Sequence, residues 1–387
     1  MPVYLDHAAT TPILPEALAA FTDALATVGN PSSIHSAGQR AKMLLEDGRA
    51  RVAASLDAEP VEVVFTSGGT ESVNLAVKGL FWARQVDRPR PRIVVAAGEH
   101  HATVDTVDWL ERHDGAVVDV VPLDAQGHLD LDGLEARLAA ATDVALVTFL
   151  WANNEVGTIQ PVTRIVELAH AAGVPVHADA VAAYGQVPLS FRASGLDAMS
   201  VSAHKIGGPV GIGALVLGRR ATVEPLIHGG GQQRQVRSGT QDAPAAIAFG
   251  IAAATPHADV RALRDRLVAG VLEAVPTAVL RGDPVDRLPG NAHFTFPGCE
   301  GDSLLFLLDA AGVAVSTGSA CQAGVPEASH VLLAMGLSED EARGALRVTL
   351  GHTSTDADVD AFLAALPDAV ARASAAGMAS RAPLLGH

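Results

Sequence analysis

The chain has 387 residues, 49% of them hydrophobic and 4% aromatic, with 27 Lys and Arg against 43 Asp and Glu, a formal charge of −16. That length suits one large domain and a smaller one, and the acidic balance excludes a broad electrostatic footprint for DNA or RNA, so no direct nucleic-acid binding is expected. The only cysteines, Cys299 and Cys321, exclude a disulfide framework and any cysteine-rich zinc or cluster site made within one chain, and no metal site is expected.

The first residues, Met1 to His7, lack the basic segment and long apolar core of a signal peptide, and no apolar run approaches bilayer length. A cytoplasmic protein with no membrane partner is expected. From about residue 40 to 250 short β-rich runs alternate with helical patterns, the order that builds a mainly parallel sheet covered by helices. The predicted strands are Val61–Phe65, Arg92–Ala97, Val117–Val121, Val144–Phe149, Val174–Ala178, Ala198–Val201 and Ala214–Leu217. Amphipathic stretches such as Thr163–Ala172 lie between them. Beyond residue 250 the pattern shifts to longer helices around Phe294-Thr295-Phe296 and Arg347-Val348-Thr349-Leu350, which predicts a smaller α+β domain. The Ala-rich tail from Ala361 to Arg381 reads as helix broken at Pro367. The fold class is α/β, with a large domain over residues 15–250 and a small one formed by 1–14 and 251–387.

In open α/β sheets ligands sit beyond the carboxyl ends of strands, and the polar motifs fall there: Thr66–Glu71, Glu99-His100, Asn153-Asn154-Glu155, Asp179 and His204-Lys205. Lys205 ends Ser202-Ala203-His204-Lys205 after an apolar run, and Asp179 ends another, one α/β unit earlier. A lysine amine for a Schiff base and a carboxylate that keeps a pyridine nitrogen protonated are what a pyridoxal phosphate (PLP) enzyme requires. Read alone, Asp179 would be a helix N-cap and Lys205 a solvated surface lysine; the pairing favours the cofactor.

Thr66-Ser67-Gly68-Gly69-Thr70-Glu71 is either a plain strand-to-helix turn or a phosphate cradle. In the second case the glycines let the backbone approach, Thr70 donates, and the positive end of the helix dipole faces the anion. Ser202 and His204 could add donors to the same phosphate. His100 is a candidate for stacking on a ring and moving protons, with His101 beside it as a competitor. His177 should share the strand face of Asp179 and support it. Cys321 lies in a run of small residues, Ser316 to Gly324, suited to presenting a thiol, whereas Cys299 reads as structural. Arg347 is a core ion-pair partner or a bidentate clamp for a substrate carboxylate.

Taken together these motifs resemble the cysteine desulfurases of the class V aminotransferases, PLP fold type I. The resemblance runs along nearly the whole chain, through Tyr4-Leu5-Asp6-His7-Ala8-Ala9-Thr10-Thr11-Pro12, Asn30-Pro31-Ser32-Ser33-Ile34-His35, Phe65 to Glu71, Asn153-Asn154-Glu155-Val156-Gly157, Ser202 to Lys205, Gly229-Gly230-Gly231-Gln232, Arg237-Ser238-Gly239-Thr240 and Gly318-Ser319-Ala320-Cys321. The small residues before Cys321 resemble the nitrogen-fixation and housekeeping iron–sulfur branch, NifS and IscS.

The resemblance implies that Lys205 carries pyridoxal 5'-phosphate, Asp179 pairs with its ring nitrogen and His100 stacks on it. Gly69, Thr70, Ser202 and His204 would bind the phosphate, joined by Thr240 from the other subunit of a homodimer. Asn154 and Arg347 would hold the carboxylate of L-cysteine, and Cys321 would take its sulfur, leaving alanine. The persulfide would then pass to a sulfur-acceptor protein, a cluster scaffold or a thiolation enzyme. Two other readings accompany this one: a selenocysteine lyase or aminotransferase-like enzyme on the same scaffold, and a low-turnover sulfur-assembly scaffold. Two positions depart from the family pattern. Ala182 stands where a Gln usually donates to the cofactor's phenolic oxygen, and Gln233 stands where an acidic residue is frequent.

Overall fold

The computed structural model describes residues 3–140, 142–318 and 328–380, with side chains as far as residue 375. In chain order the strands are β1 (Val3–Tyr4), β2 (Val63–Thr66), β3 (Arg92–Ala96), β4 (Val117–Val121), β5 (Val144–Leu150), β6 (Val176–Asp179), β7 (Ala198–Ser202), β8 (Gly213–Leu217), β9 (Val279–Arg281), β10 (Asn291–Thr295), β11 (Val313–Ala314) and β12 (Ala345–Thr349). Among the described residues, β2 to β8 form one sheet in the order β2-β8-β7-β6-β5-β3-β4. The run from β7 to β4 is parallel, and β8 lies antiparallel to both β7 and β2.

Strands β5, β7 and β8 are buried along their whole length. That explains why they read as largely apolar runs and not as strictly alternating ones, since helices cover both faces of a parallel sheet. β5 has β3 on one side and β6 on the other, so chain order reverses between β3 and β5 and leaves a crevice at their carboxyl ends.

The helices Ser36–Ser55 and Ala243–Ala254 pack against each other at unusually short range. A Cβ added to Gly48 would come 2.2 Å from the Ala246 carbonyl oxygen, and one added to Gly250 would come 2.7 Å from the Gly48 Cα. The small-residue sequence of Ala243–Ala254 is therefore a packing requirement: only glycine and alanine let two helix backbones approach so closely.

β2 is an edge strand, and its open side is capped by side chains. The Gln233 amide donates to the Phe65 carbonyl (2.6 Å) and accepts from the Phe65 N–H (2.8 Å), while Arg49 donates to the Val63 carbonyl (2.6 Å) and to Gln233 (3.0 Å). Gln233 thus imitates one rung of a strand, which an acidic side chain could not do because it has no donor for the carbonyl. Gln233→Met is expected to leave both Phe65 backbone groups without partners at a cost of about 1–3 kcal/mol, read as a lowered denaturation midpoint. An unchanged midpoint would mean that water replaces the amide.

A second core gathers Leu5, Leu267, Val271, Phe294, Phe296, Leu304, Leu308, Leu346, Val348, Phe362 and Leu366. Around it lie the antiparallel sheet β9-β10-β12, the parallel pair β1-β11 and the helices Arg261–Ala274, Gly301–Ala310 and Asp356–Ser380. Here one expectation is corrected: Pro367 does not break the last helix, which runs through it. Pro367 sits on the exposed face, so water can take the carbonyl it frees, while Val359, Phe362, Leu366, Ala369 and Ala373 anchor both halves in the second core. No helix among the described residues is long and apolar enough to cross a membrane.

Candidate active site

Four parallel strands deliver their last residues to one cavity of about 390 Å3, which reaches across to Arg347 on β12 and to Ser316 and Gly318. His100 follows β3, Asn154 follows β5, Asp179 ends β6, and His204 and Lys205 form the short turn after β7. Gly69 and Thr70 open the helix Gly69–Ala83 on another wall. A cavity of similar size, about 410 Å3, lies at the opposite ends of β6 and β7 and is lined by none of the predicted site residues.

The Lys205 amine donates to the carbonyls of Ala8 and Ala9 (the second at 3.1 Å), so the N-terminal motif forms part of its seat. Burial and, next, the Arg347 guanidinium bring its pKa down to about 8, towards a neutral amine that can act as nucleophile or base. The Asp179 carboxylate accepts from the Val181 N–H (2.9 Å), and burial raises its pKa to about 6. Below it on the same strand, His177 bridges three strands, meeting Thr148 Oγ1 on β5 and Ser200 Oγ on β7, both at 2.9 Å. Burial lowers His177 to about 3, so the bridge is neutral and adds no charge beneath Asp179.

The two adjacent histidines separate cleanly. His100 caps the helix His101–Asp114 by accepting the Ala102 N–H on Nδ1 (3.0 Å), which leaves Nε2 as the protonated nitrogen of the ring that lines the cavity. Burial, then the Lys205 charge, holds it near 4. His101 turns away and packs against His330, ring centroids 5.1 Å apart.

Arg347 is an ion-pair partner that also faces the cavity. Its Nη2 pairs with Asp6 (3.0 Å) and its Nη1 donates to the Asn154 carbonyl (2.8 Å), yet the residue also lines the cavity, and its buried Nε has no partner among the described residues. Thr240 is exposed and outside the cavity lining. Cys321 lies outside the described residues, and Gly318, three positions before it, lines the cavity. Cys299 is buried in the second core with its Sγ 3.1 Å from Ser374 Oγ.

The family model of the class-V aminotransferases matches residues 3–362. An IscS-like cysteine desulfurase of Mycobacterium tuberculosis is 54% identical, over 97% of this chain and 98% of its own length. A cysteine desulfurase of Cereibacter sphaeroides is 44% identical, over 95% of each. The chain belongs to the cysteine desulfurases of the class-V aminotransferase family. Among solved structures, a NifS-like protein superposes with a TM-score of 0.88 at 34% identity, covering 96% of this chain and 100% of the other. SspA in complex with cysteine gives 0.80 at 31%, covering 90% and 98%.

The cofactor of this family of cysteine desulfurases is PLP, and the residues present fit it. The buried Ser202 Oγ has no partner among the described residues, and it lies beside Gly69 at the start of a helix, where a phosphate would supply the missing acceptor. A Cβ on Gly69 would come 2.7 Å from Val181 Cγ2, so this wall has room only for glycine. A lysine amine and a buried carboxylate line the same cavity.

Sequence reading placed Glu99 in the Glu99-His100 motif and gave it no role. It is buried, accepts the Leu150 N–H on Oε1 (2.7 Å), and is driven to about 8 by burial and then by the neighbouring Asp179 charge. Glu99 keeps its proton at neutral pH, which leaves Asp179 as the carboxylate that ionises. A carboxyl whose folded pKa is raised stabilises the fold below its unfolded value of 4.5, and that contribution is lost as pH climbs through 8. Glu99→Gln should therefore melt with wild type at pH ~5 and above it at pH ~8 in the cofactor-free protein. Equal melting temperatures at the higher pH would contradict the assignment.

Proposed function

We propose that this protein is a PLP-dependent L-cysteine desulfurase that collects sulfur on Cys321 as a persulfide and hands it to an acceptor protein. The observation that carries the reading is the meeting of Lys205, Asp179, His100, Asn154 and Arg347 around one cavity. Gly69, Thr70, Ser202 and His204 would hold the cofactor's phosphate, Asp179 its ring nitrogen, and Lys205 its aldehyde carbon. Once bound, PLP supplies an electron sink for charge developing at the substrate α-carbon.

The chain supplies the remainder. Arg347 and Asn154 receive the substrate carboxylate, the guanidinium being held in place by Asp6 and by the Asn154 carbonyl. Lys205, with its lowered pKa, takes the α-proton as base and later returns a proton to make alanine. His100, which lines the cavity with its proton on Nε2, would face the ring and supply that proton to the departing centre. The Cys321 thiolate forms a bond to the substrate sulfur as the carbon–sulfur bond breaks. Its thiol proton balances the alanine formed, so L-cysteine and enzyme thiol become alanine and enzyme persulfide.

A homodimer in the cytoplasm completes the proposal, with Thr240 of each chain serving the partner's phosphate. Thr240 is exposed, and Val28, Ile34, Met43 and Val210 are large apolar side chains at least 71% exposed, which supports a covered face. Residues 15–250 form the cofactor-binding domain, and 1–14 with 251–387 form the small one. A nitrogen-fixation, cluster-assembly or thiolation acceptor would read the persulfide. The test is to supply the purified holoprotein with L-cysteine: stoichiometric alanine is the expected product, whereas a keto acid would move the assignment to transamination.

A further inference from the structure

Next to the cofactor cavity lies a second one of about 30 Å3, with His7, Asn154, Ala182, Gln186, Lys205 and Asn291 in its wall. Asn154, Ala182 and Lys205 line both cavities. At about 30 Å3 it has room for at least one water, and polar side chains in its wall can partner it. Ala182 ends in a single methyl group, and a longer side chain there would fill this space.

From His7 a line of polar atoms runs to the surface. His7 Nδ1 is 2.6 Å from Thr11 Oγ1, which is 3.4 Å from Nδ1 of the exposed His352. His7 Nε2 lies 3.4 Å from the hydroxyls of Thr353 and Ser354 on the same turn. Burial, then the neighbouring His352, lowers His7 to about 4. A neutral imidazole takes a proton on one nitrogen as it releases one from the other, which is what a relay requires.

We propose that His7 and a water beside Ala182 form a proton relay that joins the Lys205 amine to solvent through Thr11 and His352. A proton that Lys205 has taken from a substrate carbon moves to the water, then to the His7 ring, and leaves by Thr11 and His352; only N–H and O–H bonds change. The return path reloads Lys205 for delivery to the carbon. The proposal rests on Lys205 being the base of the reaction.

The test is the exchange of the L-alanine α-proton in D2O by the holoprotein, followed by proton NMR, because it needs Lys205 but no thiol. In His7→Gln and Ala182→Val, exchange should slow by about tenfold or more while cofactor content stays within about twofold of wild type, and added imidazole should restore His7→Gln. Exchange within about twofold of wild type in cofactor-loaded His7→Gln and Ala182→Val overturns the relay. If His7→Gln loses the cofactor, Ala182→Val decides by the same reading; loss of cofactor from both makes them cofactor-holding residues and also overturns it. A wild type that binds PLP and exchanges no alanine α-proton overturns the role of Lys205 itself.

Discussion

Lys205→Ala should abolish turnover of L-cysteine, a loss on the order of 10^4-fold or more, because one side chain serves as both covalent anchor and base. Its half-buried amine donates to the carbonyls of Ala8 and Ala9 and faces Arg347 and Asp179, so alanine leaves a gap among charged groups that no nearby residue fills. The variant should also lose the visible absorbance of lysine-bound cofactor. The closest titratable side chain on that turn, His204, is itself held near 4 and cannot replace a lysine at neutral pH. A Lys205→Ala protein with wild-type colour and turnover would transfer the anchor to another lysine.

Cys321→Ser should separate binding from chemistry. L-cysteine still perturbs the cofactor spectrum, since Lys205, Asn154 and Arg347 are untouched, but persulfide formation falls by roughly 10^3-fold or more because a hydroxyl does not accept sulfane sulfur. Cys299 offers no substitute. It packs in the second core beside Ser374, and burial raises its thiol pKa, which disfavours the thiolate. Retained activity in Cys321→Ser together with lost activity in Cys299→Ser would show that the reactive thiol had been assigned to the wrong cysteine.

The strands were legible because a sheet covered on both faces writes itself as apolar runs, and the site was legible because parallel strands point their carboxyl ends, with Asp179, His100 and Lys205, at one crevice. What stayed hidden depends on contacts between distant segments. Arg347 and Asp6 are 341 residues apart, so sequence offered clamp or ion-pair partner as alternatives, and the folded chain makes Arg347 an ion-pair partner that also faces the cavity. His100 and His101 are equivalent as text; the helix N-cap, which sets them on different faces, distinguishes them. Glu99 looks like an ordinary charged residue until the Leu150 backbone closes over it. Pro367 misled because a local rule about proline was outweighed by apolar anchors on either side of it. Gln233 gained a reason only when the exposed edge of β2 was in view.

The most direct test is a single turnover: holoprotein mixed with a stoichiometric amount of L-cysteine, quenched, and read by alanine analysis and peptide mass spectrometry. The account predicts alanine in proportion to protein and one added sulfur atom on the peptide that contains Cys321, with the Cys299 peptide unchanged. Alanine without enzyme-bound sulfur, or sulfur on Cys299 alone, would contradict it.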